Sequence, residues 1–417
     1  MTSRPTFVIV GASLAGAKAA ETLRTEGFEG RVILIGEEDV RPYERPPLSK
    51  DYLRGESGRD KVFVHDESFY EDNDIDLRLS SRVTSLDTKD RVVELDSGET
   101  IGYDAVLIAT GATPRPLAIP GANLDGVHYL RQVGDSDRIR EAIRGAGHLV
   151  VVGAGWIGCE VAASARQPGA DVTMVATSTV PLERVIGQEL GGFYRDVHLE
   201  HGVEMHLGMG VRALRGNGSV DEVVLADGRT LSADLVVVGL GVVPRVELAD
   251  AAGLTLDNGV LTSEHLTAST PGVFAAGDVA NAWHPTLQQN IRLEHWSSAL
   301  NQGPVAARNM LGRPTPYTKI PYFYSDQYDI GMEYSGHATE WDQLVFRGDP
   351  GSREFIAFWL EEGRLRAGMN VNVWDVTEPI ATLVASRRHV DATSLSDPKV
   401  DLAELAQKVA PGQVSGD

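Results

Sequence analysis

Two glycine-rich turns, each set between an apolar run and an alanine-rich stretch, constrain this chain more than any other feature. The first, Gly11-Ala12-Ser13-Leu14-Ala15-Gly16, follows Phe7-Val8-Ile9-Val10. The second, Gly153-Ala154-Gly155-Trp156-Ile157-Gly158, follows Leu149-Val150-Val151-Val152. The apolar runs read as buried strands and the stretches after the turns as helices. Glycine lets the backbone approach a pyrophosphate, and the helix start offers unpaired N–H groups and a partial positive charge. Two such units, roughly 140 residues apart, imply two dinucleotide sites, one for a flavin and one for a nicotinamide. The fold class expected is α/β.

The single cysteine, Cys159, narrows the chemistry. Many enzymes with two dinucleotides pass electrons onward through a cysteine pair, and one cysteine cannot form a pair within the chain. Electrons must then leave the flavin directly. A single cysteine also rules out a disulfide framework and fits a reducing, cytoplasmic setting. The net charge of −21 opposes general binding to nucleic acid or an anionic membrane. No apolar run approaches the length of a membrane span, and no signal-peptide pattern precedes the first strand. His198, His201 and His206 lack the spacing of a zinc site, so no metal is expected.

The 417 residues are enough for two or three domains. The first unit runs through a helix near Leu14–Glu26 to the strand Arg31–Ile35. Glu37 follows, where an acidic side chain reaches a ribose hydroxyl in such units. The proline-rich segment Arg41–Lys50 reads as an ordered loop or helix start. Strands Val92–Leu95 and Tyr103–Ala109 lead to Thr110-Gly111. The second unit comprises Leu149–Val152, a helix through Ala165 and the strand Asp171–Val175, and closes at Asp234–Gly241. The chain then returns to the first domain through Pro271–Asp278. From about Pro314 the texture turns β-rich and aromatic, and the stretch from Asp391 ends in a polar tail. The boundaries expected are residues 1–112 with 240–313, then 113–239, then 314–417.

Pro42-Tyr43-Glu44-Arg45-Pro46-Pro47-Leu48-Ser49-Lys50, Ala109-Thr110-Gly111, Gly153–Glu160, Gly277-Asp278, Glu294-His295-Trp296 and Pro321–Asp329 occur in this order. In this the chain resembles the FAD-containing, NADH-dependent ferredoxin reductases of oxygenase systems, over nearly its whole length. The resemblance implies a glutathione-reductase-like fold: two Rossmann-like dinucleotide-binding domains plus a C-terminal α+β domain. It implies that Leu14, Ala15 and Gly16, after Gly11, face the FAD pyrophosphate and that Glu37 meets the adenosine ribose. Arg45 and Lys50 would lie by the phosphates and the flavin ring, and Val83, Ala109, Thr110, Gly111 and Arg131 would line the rest of the site. Asp278, after Gly277, would hold the ribityl–phosphate region and Trp296 the pyrimidine edge of the ring. Gly155, Ile157 and Glu160, with Gly153 and Gly158, would meet NADH, and Gly241 would lie near the nicotinamide.

Two departures stand out. Some relatives have tryptophan where Tyr322 or Tyr324 stands, which bears on the acceptor-facing surface. The strand of the second unit ends Val175-Ala176-Thr177-Ser178, where many relatives place a glutamate. Thr177, Ser178 and Thr179 offer hydroxyls to a ribose, and no arginine lies in Ala176–Pro181 to grip a 2′-phosphate, so NADH is expected over NADPH. Lys50 and Glu160 are the expected catalytic pair: Lys50 offsets charge gained by the ring, and Glu160 pairs with Lys50 and positions the nicotinamide. The expected acceptor is a [2Fe–2S] ferredoxin serving a haem-thiolate monooxygenase or a Rieske oxygenase. Arg308, Arg313 and Lys319 would offer it a cationic face. A monomer or weak homodimer is expected. The alternatives at this point are an NAD(P)H oxidase and a non-catalytic flavin-binding protein resembling apoptosis-inducing factor.

Overall fold

The apolar run after Pro5 becomes the central strand, Thr6–Val10, of a five-stranded parallel sheet. Across that sheet the order is Val273–Ala275, Ala105–Ile108, Thr6–Val10, Arg31–Ile35, Ile75–Arg78. Val8 sits opposite Ile33 on one side and Val106 on the other. Because side chains alternate across a strand, Phe7 and Ile9 face one way and Val8 and Val10 the other. The first face packs under the helix Leu14–Thr25 through Ala15, Ala19, Ala20 and Leu23, and under the helix Trp296–Met310 through Ala306 and Ala307. The second face packs on Val93, Leu95 and Ile101 of a three-stranded antiparallel sheet. Both faces are covered, which is why the parallel strands read as continuous apolar runs.

The computed structural model describes residues 4–145 and 147–409, which divide into two units. The sheet just described belongs to the first, built from residues 4–44, Asp60–Thr113 and Val243–Tyr322. The second comprises Arg45–Arg59, Pro114–Val242 and residues 323–409. It holds its own parallel sheet, ordered Glu204–Leu207, Asp171–Ala176, His148–Val152, Leu235–Val238, Val127–Tyr129. It also holds a sheet in which Ile330–Gly336, Arg364–Val371, Glu354–Glu361 and Gln343–Asp349 run antiparallel, with Tyr322–Gln327 beside Ile330–Gly336.

Local differences from the sequence reading have local causes. The strand expected over Tyr103–Ala109 is Ala105–Ile108, because the Tyr103 amide donates to the Arg91 carbonyl instead. The proline-rich segment closes into a 3₁₀ turn, Pro46–Ser49, followed by the short helix Asp51–Arg54. The terminal stretch begins with the helices Ala392–Ser396 and Leu402–Val409. The polar end after residue 409 lies outside the described residues.

The two helices over the first sheet meet at a glycine. A Cβ on Gly303 would lie 2.4 Å from the Ala15 carbonyl oxygen and 3.1 Å from the Ala19 nitrogen. Neither backbone atom can move without shifting its helix. Gly303→Ala should therefore destabilise the protein by about 2 kcal/mol through overpacking. Gly192→Ala, at a helical position with nothing within 4 Å of the added Cβ, should be neutral or stabilising. Urea unfolding midpoints of the two variants check this contrast.

Candidate active site

In each unit the glycine turn leaves the carboxyl edge of its parallel sheet, where open α/β sheets bind ligands. Gly11 has φ +124°, and a Cβ there would lie 2.1 Å from the Ala109 carbonyl oxygen. Gly153 has φ +111°, and a Cβ would lie 2.3 Å from the Gly239 carbonyl oxygen. Both turns are thus pressed against the end of the neighbouring strand. Gly155, by contrast, has nothing within 4 Å of an added Cβ. Ser13 and Gly155 begin their helices with no side-chain cap, so first-turn N–H groups stay available to an anion. These features fit a pyrophosphate at each turn.

Around the first turn the unit gathers Leu14, Ala15, Gly16, Glu37, Ala109, Thr110, Gly111, Gly277 and Asp278. Gly277 lies against Ala15, and its amide donates to Gln302 at 2.8 Å. The Asp278 carbonyl accepts from Arg292 at 3.3 Å. Trp296 opens the helix that carries Gln302. Val83 stands apart from the turn, at the start of a strand in the antiparallel sheet packed beneath.

Glu37 follows its strand as expected, but it has a partner that the sequence did not reveal. Arg245 grips both carboxylate oxygens, with Nη2 2.8 Å from Oε2. That guanidinium holds the Glu37 carboxyl below its usual range. Arg245 is fixed in turn by its backbone: its amide donates to the Gly111 carbonyl, and its own carbonyl accepts from the Thr110 hydroxyl at 2.8 Å. No sequence signal marks Arg245.

In the second unit Gly153, Gly155, Ile157, Gly158, Thr177 and Gly241 lie at the carboxyl edge of the sheet. Ile157 is 42% exposed, unusual for isoleucine and suited to covering a planar ligand. Thr179 donates through its amide (2.8 Å) and hydroxyl (3.1 Å) to Glu183. The Thr179 amide holds that carboxyl below its usual range. Arg45 donates to the Arg131 carbonyl.

The centre of this unit is a buried ion pair. Lys50 Nζ lies 2.9 Å from Glu160 Oε2, with the side chains 8% and 4% exposed. Proline geometry aims the lysine: the 3₁₀ turn places Nζ 3.2 Å from the Pro46 carbonyl, and the Ser136 hydroxyl holds the Leu48 carbonyl at 2.8 Å. Two hydroxyls complete the cluster. Ser49 donates to Glu160 Oε2 at 2.5 Å and Ser325 to Oε1 at 2.6 Å. Lys50 also lies over the Tyr324 ring, 5.5 Å from its centroid. Ser49 and Ser325 fall within motifs that the sequence reading singled out, yet nothing marked them as partners of Glu160.

The remaining residues singled out have partners of their own. Arg308 and Arg313, read as a docking face, both pair with Glu26, Arg308 at 2.9 Å. The single Glu26 carboxylate offsets one of the two positive charges, and the arginine side chains stay 39% and 54% exposed. The three histidines take separate partners. His198 is buried against Gln327 and Tyr328, His201 stacks on Tyr328 at 3.7 Å, and His206 meets Glu204 at 3.0 Å. No metal-holding group of His, Cys, Asp and Glu occurs among the described residues. No described helix is long and apolar enough to cross a membrane. Cys159 is fully buried, and burial pushes its thiol far above the ordinary range, so it is inert.

Two cradles on two parallel sheets, joined to a single unreactive cysteine, define an oxidoreductase that works with two dinucleotides and no dithiol. The chain matches the pyridine nucleotide-disulphide oxidoreductase family over residues 5–303 and the reductase C-terminal family over residues 322–406. It is 38% identical to rhodocoxin reductase of Rhodococcus erythropolis, over 88% of this chain and 86% of that one. It is 37% identical to the ferredoxin–NAD(+) reductase component of the anthranilate 1,2-dioxygenase system of Burkholderia cepacia, over 95% and 98% of the two chains. The covalent putidaredoxin reductase–putidaredoxin complex superposes with a TM-score of 0.94 at 33% identity, covering 98% of this chain and 99% of that chain. The chain belongs to the pyridine nucleotide-disulphide oxidoreductases and, within them, to the ferredoxin reductases of oxygenase systems.

Two stability predictions follow from this geometry. Removing one partner of a buried ion pair strands the other charge, at a cost of about 3 kcal/mol or more. Lys50→Met should therefore destabilise the protein more than the double variant Lys50→Met/Glu160→Gln does, as a denaturant double-mutant cycle would read. Burial pushes His198 down to about 4 from an ordinary 6.5. Between these values the unfolded chain binds a proton that the folded chain refuses. His198 therefore costs no stability above pH 6.5 and roughly 3 kcal/mol by pH 4. In His198→Gln the slope of stability against pH across that window should flatten, relative to the unmodified protein.

Proposed function

We propose that this chain is an FAD-dependent NADH:ferredoxin reductase that delivers electrons, through a [2Fe–2S] ferredoxin, to a monooxygenase or Rieske-type oxygenase in the cytoplasm. The observation that carries this reading is the pair of phosphate cradles in a chain whose only cysteine is buried. An oxidase or a signalling flavoprotein has no comparable support, since the relatives named above are reductases. We divide the chain accordingly: residues 1–112 and 240–313 for FAD, 113–239 for NADH, and 314–417 as a C-terminal domain.

Bound FAD supplies the conversion between a two-electron donor, NADH, and a one-electron acceptor. The protein's part is binding, orientation and charge. Leu14, Ala15 and Gly16 present N–H groups to the FAD pyrophosphate, while Gly11, whose own amide donates to the Ile35 carbonyl, lets the turn come close to it. Glu37, locked by Arg245, accepts from the adenosine ribose with lone pairs that the guanidinium leaves open. In the first unit Ala109, Thr110, Gly111, Asp278 and Trp296 would contact FAD, with Val83 acting from the sheet beneath; in the second unit Arg45, held on the Arg131 carbonyl, would offer a positive charge to a dinucleotide phosphate. Gly153, Gly155, Ile157 and Gly158 seat NADH, Thr177 offers a ribose contact, and Gly241 gives the nicotinamide room. Lys50 brings a positive charge to the ring, and Glu160 fixes that charge and orients the carboxamide. The anionic Glu183 beside Thr179 opposes a 2′-phosphate, which favours NADH without a glutamate at Ala176.

The decisive experiment is reduction of cytochrome c by NADH with and without an added [2Fe–2S] ferredoxin. A strong dependence on the ferredoxin is expected, and a ferredoxin-independent rate would sink the reading. Lys50→Met should slow flavin reduction in stopped flow by about a hundredfold while changing NADH binding far less. Glu183→Gln should raise kcat/KM for NADPH relative to NADH by a few-fold, and an unchanged ratio would remove Glu183 from cofactor choice.

A further inference from the structure

The Glu160 carboxylate is the end of a buried chain of hydrogen bonds whose polarity is fixed. A carboxylate paired with an ammonium only accepts, so the Ser325 hydroxyl, 2.6 Å from Oε1, must donate to it. With its proton spent, Ser325 Oγ accepts from the Gln327 side-chain amide at 3.2 Å. That orients Gln327 Oε1 toward His198 Nε2 at 3.0 Å. An amide oxygen only accepts, so Nε2 carries the proton. Neutral His198 then accepts at Nδ1 from the Tyr328 hydroxyl, 3.1 Å away. Every link points its donor toward Glu160. Ser325, Gln327 and His198 are all buried, so water does not compete for these bonds. On the other oxygen Ser49 donates at 2.5 Å, and its own carbonyl is held by the Ser164 hydroxyl at 2.7 Å.

We infer that Ser325, backed by Gln327 and His198 and opposed by Ser49, is a positioning residue for the reductase reaction. It clamps the Glu160 carboxylate in the one rotation that holds the Lys50 ammonium at its post. Without it, one carboxylate oxygen loses its donor, the group swings, and the cation it anchors swings with it. A charge acting on a bound ring is useful only where it is held in place. The clamp brings the strand Tyr322–Gln327 into the chemistry, not only into the packing. This inference rests on the role proposed for Lys50 beside the flavin.

The test compares Ser325→Val with Ser325→Thr, side chains of nearly one shape that differ by the hydroxyl. Two quantities are read on the FAD-loaded protein: the rate of flavin reduction by NADH, and the midpoint potential measured by dye-coupled titration without NADH. The valine variant should be reduced about tenfold more slowly, the loss of one hydrogen bond to a charged group, with the NADH dissociation constant unchanged. Its midpoint potential should move, and threonine should restore both. Gln327→Met, added to Ser325→Val, should contribute little further. If valine and threonine behave alike, whether both are impaired or both normal, the clamp is overturned. Should Ser325→Val fail to accumulate, Gln327→Met alone decides: slowed reduction with a shifted potential supports the clamp, and unmodified values overturn it. An unmodified protein that NADH cannot reduce would overturn the proposed function, while the potentials of the Val and Thr variants would still judge the clamp.

Discussion

The Lys50–Glu160 ion pair is the interaction on which the second unit's site depends. Two charges taken out of water are costly to bury, and their attraction compensates only when the remaining hydrogen-bonding capacity is met. Here it is met in detail. Lys50 has the Glu160 carboxylate, the Pro46 carbonyl and the Tyr324 ring face, and Glu160 has Ser49 and Ser325. The pair recruits residues from three stretches of sequence, so it specifies how those stretches assemble. It also explains why Arg45–Arg59 groups with the second unit although the residues before and after it belong to the first.

The first unit uses a different device. Its ligand-facing residues come from the ends of parallel strands, and the sheet itself sets their spacing. Gly11, Ala109, Glu37 and Gly277 need no mutual attraction to converge, because the strands they follow stand side by side as four successive strands of one sheet. What the unit adds is rigidity at the edge. Arg245 locks Glu37, Gln302 locks Gly277, and Gly303 lets the helix Trp296–Met310 press directly onto the helix Leu14–Thr25 that follows the turn.

The sequence was most legible where the physics is local. A glycine turn between an apolar run and a helix is written in consecutive residues, and both cradles were read with their strands nearly to the residue. The proline-rich segment announced an ordered turn for the same reason. Legibility fell where partners are remote. Arg245 lies 208 residues from Glu37, and Ser325 lies 165 from Glu160. Glu26 quietly takes up Arg308 and Arg313 from more than 280 residues away, and a cationic face read from spacing alone could not foresee it. The burial of His198 and the tautomer that Gln327 gives it are likewise set by a partner 129 residues away.

The interleaving of segments also sets a timetable for synthesis. Neither unit is contiguous, so neither can close when its first segment leaves the ribosome. The strand Ala105–Ile108 stays a sheet edge until Val273–Ala275 arrives to cover it. Ser49 waits 111 residues for Glu160, and Glu160 waits another 165 for Ser325. At roughly 5–20 residues per second, that last interval alone is on the order of ten to thirty seconds. Throughout it a nascent chain carries a half-built charged core and, until Val273–Ala275 emerges, an unpaired strand edge, the kind of species that chaperones hold. Efficient production of this protein is thus a matter of protecting the growing chain as much as of the stability of the finished one.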